Sequence, residues 1–311
     1  MNSSPQLDPT SPHAPPTHDS ARTALVLGGG GSIGNAWLIG VIAGLAEAGV
    51  DVTTADLVVG TSAGSTAAAQ ITSARPGALL ADTVRAAPSS PPSRTDSVAR
   101  PASRAPVIDH QERTARIIAA AVDAADMRRR LGAAALALEA PPDWSARWRS
   151  IVASRLPNDQ WPPRRLLITA VDARTGEPVV LDADSGLDLV DALAASCSSG
   201  YPYRIGDDWY LDGGYRSNAD NADLAAGHEH VLVLSPFGGR SRTPAQWGLR
   251  LADQVAHLRA HGSRVETVVP DSASLAAFGD DMMDVSRRAP AARAGNAQGL
   301  ALAPALRAIW G

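Results

Sequence analysis

Three short segments carry the residue types that could do chemistry. The run Gly60-Thr61-Ser62-Ala63-Gly64 sets a serine between glycines two positions away on either side. That spacing suits a nucleophile elbow, a sharp strand-to-helix turn where side chains at the flanking positions would collide with nearby backbone. Such a turn presents the hydroxyl at a helix N-terminus, where amide N–H groups favour developing negative charge. The five-residue pattern alone is weak, because a tight turn without chemistry reads the same way. A second segment, Gly28-Gly29-Gly30-Gly31-Ser32-Ile33-Gly34, offers bare amides. Read as Gly29-x-Gly31-x-x-Gly34, it matches a dinucleotide-binding fingerprint. Read as a polyglycine loop, it is an oxyanion hole for acyl transfer. The dinucleotide use expects an acid at the end of the second strand. Here that strand runs into Gly60-Thr61-Ser62, and Asp51 and Asp56 stand at its other end, so the oxyanion use is preferred. The third segment, Asp212-Gly213-Gly214, supplies a carboxylate that could take the serine proton. In isolation it is an ordinary Asp-Gly turn.

These segments need elements to hold them. Thr23-Ala24-Leu25-Val26-Leu27 and Asp56-Leu57-Val58-Val59 read as buried strands, each leading through a glycine motif into a helical pattern. Strand, glycine loop, helix, strand, tight turn, helix is the opening of a parallel α/β sheet. Further strands are expected at 165–171, 178–181, 209–211, 230–234 and 265–269, and helices at 188–195, 245–260 and 289–309. The expected organisation is a disordered tail over 1–22, rich in Pro, Ser and Thr, and one domain over 23–311. Within the domain, 86–106 is a Pro/Ser-rich loop, 108–156 a helical insertion or cover divided by Pro141-Pro142, and 240–311 a C-terminal helical region.

Composition sets outer bounds. The chain has 311 residues, 45% hydrophobic and 19% charged, enough for a large buried core. Its one cysteine, Cys197, leaves no intrachain disulfide. Net charge is −4, Lys is absent, and Arg is scattered, so no basic domain for nucleic acid is evident. Arg128-Arg129-Arg130 reads as a solvated helix face. No signal peptide and no transmembrane segment are expected, which points to a cytoplasmic protein whose membrane contact, if any, is peripheral.

In this order, the motifs resemble the patatin-like phospholipase family. The resemblance rests on Leu27-Gly28-Gly29-Gly30-Gly31-Ser32-Ile33-Gly34 with Gly40-Val41-Ile42-Ala43-Gly44-Leu45, and on Val59-Gly60-Thr61-Ser62-Ala63-Gly64. It continues through Ala195-Ser196-Cys197-Ser198-Ser199-Gly200-Tyr201-Pro202, Tyr210-Leu211-Asp212-Gly213-Gly214 and Asn218. It implies a three-layer α/β/α sandwich with a mostly parallel central sheet. It further implies a Ser62–Asp212 dyad acting through an acyl-enzyme, with oxyanion amides from Gly29, Gly30 and Gly31. Gly34, Gly60, Gly64, Gly213 and Gly214 support the motifs. Lipid or small-ester substrates follow, with no cofactor and no metal. Family members often carry Arg where this chain has Ile33, which removes a cation near the hole.

Other residues admit rival readings. His228 or His230, after Asp212 in the chain, could serve as the base of a Ser–His–Asp esterase. A nucleotide-binding module built on Gly28 to Gly34 is the non-hydrolytic alternative. His257 and His261 have metal-compatible i, i+4 spacing but read as a solvated face. Asp280, Asp281 and Asp284 read as a solvent-facing turn. Trp144, Trp148 and Trp161 read as packing in preference to a lipid-facing cover.

Overall fold

Leu25 and Leu27 of the first strand face one apolar cluster, while Ala24 and Val26 face another. Val58 against Leu57 and Val59, and Leu232 and Leu234 against Val231 and Val233, divide in the same way. Side chains alternate across a strand, so this sheet is covered on both faces, and its strands are near-continuous apolar runs. The computed structural model describes residues 22–86 and 105–310. The tail expected at 1–22, apart from Arg22, and most of the loop expected at 86–106 lie outside the described residues.

In chain order the elements are β1 (Thr23–Leu27), α1 (Gly31–Glu47), β2 (Leu57–Gly60), α2 (Ala63–Ile71), α3 (Pro76–Arg85), α4 (Ala105–Ala120), α5 (Ala124–Leu136) and α6 (Trp144–Ala153). There follow β3 (Arg165–Asp172), β4 (Pro178–Leu181), α7 (Leu189–Ser196), β5 (Tyr203–Ile205), β6 (Asp208–Asp212), β7 (His230–Leu234), α8 (Leu251–Ala260), β8 (Arg264–Val268), α9 (Ser272–Phe278) and α10 (Arg288–Trp310). Strands β3, β2, β1, β7 and β8 are parallel in that order, and β4, β6 and β5 are antiparallel additions at the β3 end. The mixed α/β sandwich with a mostly parallel sheet is therefore as the sequence implies. One helical layer is built on α1, α2, α7 and α10, and the thinner opposite layer on α8 and the turn Ala222–Ala225.

Within 240–311, the strand expected at 265–269 is β8, which joins the main sheet beside β7, with helices α8, α9 and α10 around it. Two details differ from the sequence reading. The helix expected over 245–260 is interrupted at Gly248, whose φ of 64° ends a single 3-10 turn before α8 begins. Helices α3 and α9 and the edge strand β5 are short, and nothing in the periodicity announces them. Among the described residues no helix is long and apolar enough to cross a membrane.

Helices α1 and α10 run parallel with their backbones in contact. A Cβ on Gly40 would lie 2.2 Å from Ala292 O, one on Gly44 2.2 Å from Asn296 O, and one on Gly299 2.3 Å from Val41 O. Glycine in mid-helix costs about 0.5–1 kcal/mol against alanine; here it permits the close approach. Gly44→Ala is therefore expected to destabilise the fold by about 3 kcal/mol, since only backbone could yield. Urea denaturation checks this, and an unchanged midpoint would refute it.

Candidate active site

The C-terminal ends of β1, β2 and β7 lie side by side, and the loops leaving them form the site. After Gly60 the chain turns sharply into α2. A Cβ on Gly60 would lie 2.4 Å from Ser65 Cα, and one on Gly64 2.0 Å from Leu27 O. Both glycines are thus required by backbone contact. Between them Ser62 adopts φ 52° and ψ −118°, outside the regions open to most L-residues. Ser65 N and Thr66 N donate to Ser62 O, Ser65 Oγ donates to it at 2.6 Å, and Ser62 N donates to Ser196 Oγ at 2.9 Å. These bonds hold the strained residue in place.

The register of β3 explains why Asp212 meets Ser62. Ile168 pairs with both Gly60 and Leu181, so β2 and β4 lie on opposite edges of β3. Ala170 pairs with both Val179 and Asp212, so β6 lies opposite β4 and shares an edge with β2. The two strands approach head to head along one neighbour, and the elbow fills the gap between them. Ser62 Oγ donates to Asp212 Oδ2 at 2.8 Å, and Gly214 N donates to Asp212 Oδ1 at 2.8 Å. Gly213 must lack a side chain, since a Cβ there would meet Thr169 Oγ1 at 2.1 Å. Asp212 is 7% exposed. Burial raises its carboxyl to about 6, against the opposing bonds from Gly214 and Ser62.

The glycine loop passes beside the serine. A Cβ on Gly29 would stand 3.5 Å from Ser62 Cβ. The Gly29 amide, however, donates to Ala219 O at 2.7 Å, which removes it from the expected set of three oxyanion donors. The amides of Gly30, Gly31 and Ala63 have no acceptor among the described residues. Gly34 N donates to Gly30 O and shapes the turn. Ile33 is fully buried in the core, and its amide donates to Met282 O at 3.0 Å. A nucleotide phosphate would compete with that carbonyl for the helix N-terminus.

Neither histidine reaches the site. His230 opens β7, at the sheet end opposite the Gly28–Leu234 contact, and a five-residue strand separates the two ends by roughly 13 Å. His228 precedes it and packs its Nδ1 on Ala225 O. The Ser–His–Asp alternative is therefore corrected. His257 and His261 lie with their ring centroids 4.1 Å apart and tilted by 38°, and no cluster of three or more metal-ligating residues occurs among the described residues. Asp281 and Asp284 cap turns through Met283 N and Ser286 N. Trp148 and Trp161 bond Ala194 O and Leu187 O beside α7. Trp144 stacks on Trp148. Cys197 packs beneath the elbow with Sγ donating to Ser62 O, and burial pushes its thiol up to about 11.

A family model described as patatin-like phospholipase matches residues 25–225. The chain belongs to this family. Its members are lipid acyl hydrolases, and the matched span holds both glycine motifs, Ser62 and Asp212. Strands β7 and β8 and helices α8 to α10 lie beyond it. Comparison with curated proteins returns no match. Among solved structures, VipD from Legionella pneumophila aligns at 12% identity and a TM-score of 0.43, over 92% of this chain and 67% of that one. The type III effector protein ExoU aligns at 15% and 0.33, over 91% of this chain and 53% of the other, so the chain spans about half of ExoU.

Several residues of this patatin-like site carry no motif in the sequence. Asn221, at φ 54°, donates to Gly213 O and Thr61 Oγ1 and ties the aspartate turn to the end of β2. Thr169 Oγ1 donates to Thr61 Oγ1 from β3. Asp220 is a second buried carboxylate, raised to about 6 by burial. It lies against Gly28, whose Cβ would fall 2.2 Å from its Oδ1, and that oxygen is buried without a hydrogen-bond partner among the described residues.

Proposed function

We propose that the protein hydrolyses carboxylic esters of lipids, of the phospholipase A, lysophospholipase or esterase type, through a Ser62–Asp212 dyad. The observation that carries this is the 2.8 Å bond from Ser62 Oγ to the buried Asp212 carboxylate. Asp212 Oδ2 accepts the hydroxyl proton as Oγ attacks the ester carbonyl. The carbonyl oxygen becomes an alkoxide facing the amides of Gly30, Gly31 and Ala63. Asp212 returns the proton to the leaving alcohol, which departs and leaves Ser62 acylated. Water, deprotonated by Asp212, then releases the acid and restores the serine. A base with its pKa near 6 is mostly ionised at neutral pH yet still basic enough to work.

No step calls for a metal or cofactor. Membrane contact, in this reading, is peripheral. Met283, 58% exposed, lies against Gly31 and offers an apolar side chain next to the amides. Incubation with a fluorophosphonate probe tests the proposal. The expected result is one phosphonylated peptide, containing Ser62. Labelling elsewhere with Ser62 untouched would refute it.

A further inference from the structure

We propose that Arg288 is a positioning residue of the hydrolytic site, fixing the glycine loop relative to the residue after Ser62 and lending it positive charge. The proposal rests on the reading of Ser62 as nucleophile. Arg288 begins α10, outside the span matched by the family model. Because α1 and α10 are parallel, their N-termini meet, and the guanidinium reaches across to the loop. Its Nη1 donates to Ser32 O at 2.6 Å and to Ser32 Oγ at 3.3 Å, and its Nη2 donates to Asn35 Oδ1 at 3.0 Å. Asn35, 6% exposed, sends its Nδ2 to Ala63 O at 3.4 Å and to Gln70 Oε1 at 3.0 Å. Arg288 and Asn35 together thus connect Ser32, next to the free amide of Gly31, to Ala63, whose own amide is free. These are the two groups of donors that an oxyanion must meet together.

The charge is as telling as the geometry. Arg288 is half-buried, and among the described residues no carboxylate pairs with it. Its partners are all neutral oxygens. Burial, and then the like charge of Arg155, lower its pKa. A guanidinium stays protonated through such a shift, so its charge is not cancelled locally. A half-buried cation without a carboxylate partner is only partly compensated by neutral oxygens. An anion forming at Gly30, Gly31 and Ala63 is what it would favour.

A function in the transition state is separable from a function in packing. The full-length protein, Arg288→Gln, Arg288→Lys and Ser62→Ala are assayed on a p-nitrophenyl ester. Two inhibitors of matching chain length are added: a trifluoromethyl ketone, which forms an anionic adduct with the serine, and the corresponding secondary alcohol, which forms none. Arg288→Gln is expected to lower kcat about 10–100-fold with KM within about twofold, as misplacement near the chemistry does. Ketone affinity should fall by a similar factor and alcohol affinity by less than about twofold. Arg288→Lys keeps the charge but cannot bridge Ser32 and Asn35 together, so it should recover part of the loss. Equal weakening of both inhibitors would show a packing role and overturn the proposal. So would an undiminished kcat in Arg288→Gln, or in Arg288→Lys if the glutamine variant does not fold. A dead Ser62→Ala beside an Arg288→Gln variant with undiminished kcat overturns this inference alone, whereas hydrolysis surviving in Ser62→Ala overturns the nucleophile assignment itself.

Discussion

Ser62→Ala is expected to cut ester hydrolysis by at least about 10⁴-fold, the scale on which loss of a serine nucleophile acts when the rest of the site is intact. The hydroxyl is the atom bonded to Asp212, and no other serine hydroxyl bonds that carboxylate among the described residues. The fold should survive, since the backbone bonds at residue 62 do not involve Oγ. Ser62→Gly makes a sharper version of the test. Glycine accepts φ 52° without strain, so this variant should be equally inactive but more stable than Ser62→Ala by about 1 kcal/mol. Steady-state rates with thermal denaturation check both. An active Ser62→Ala, or a glycine variant less stable than the alanine one, would contradict them.

Asp212→Asn is expected to cost about 10³–10⁴-fold in kcat/KM, as losing the base partner of a serine does. With Asp212 as base, log kcat/KM should rise with unit slope as pH approaches about 6 and level off above it. The asparagine variant should lose that limb. Stability should move the other way. The carboxyl has its ordinary value near 3.8 in the unfolded chain and about 6 in the folded one. The folded state therefore holds the proton more tightly, and stability declines as pH rises from about 3.8 to about 6. Above that window the ionised, buried carboxylate costs the fold up to about 3 kcal/mol. Asparagine escapes this cost, so Asp212→Asn should melt higher than wild type at pH 8, with the gap closing at pH 4. Equal melting temperatures at pH 8 would show that the carboxylate is better solvated than its burial implies.

Much of this arrangement was legible in the sequence, and the reasons are local. Buried parallel strands are unbroken apolar runs, so β1, β2, β3 and β7 announce themselves. Glycines pressed against backbone cannot be replaced, which is why the motif around Ser62 is readable. What escaped depends on tertiary placement. The Gly29 amide looks like its neighbours until Ala219 O is brought to it. His228 and His230 looked available as bases because chain order says nothing about which end of a strand faces the site. The departure at Ile33 suggested a loop without a cation, yet Arg288 arrives there from a residue far along the chain. Asn221 and Thr169 carry no motif, because their importance arises only when β2 and β6 meet along β3. Residues 1–21 and 87–104 lie outside the described structure, so the expectations for them stand as they were.

The glycine-to-glycine contact between α1 and α10 also bears on the order of folding. Helix α1 is buried through most of its length, and much of that cover comes from the last helix of the fold. Chains fold from the N-terminus as they are synthesised, but here the first helix must wait for the last. Closing so long a loop makes the contact a late event, with a high entropic threshold. Until then the apolar surface of α1 stays exposed to chaperones and to aggregation. A nascent chain that already carries Ser62 and Asp212 would still lack the helix against which its glycine loop is set.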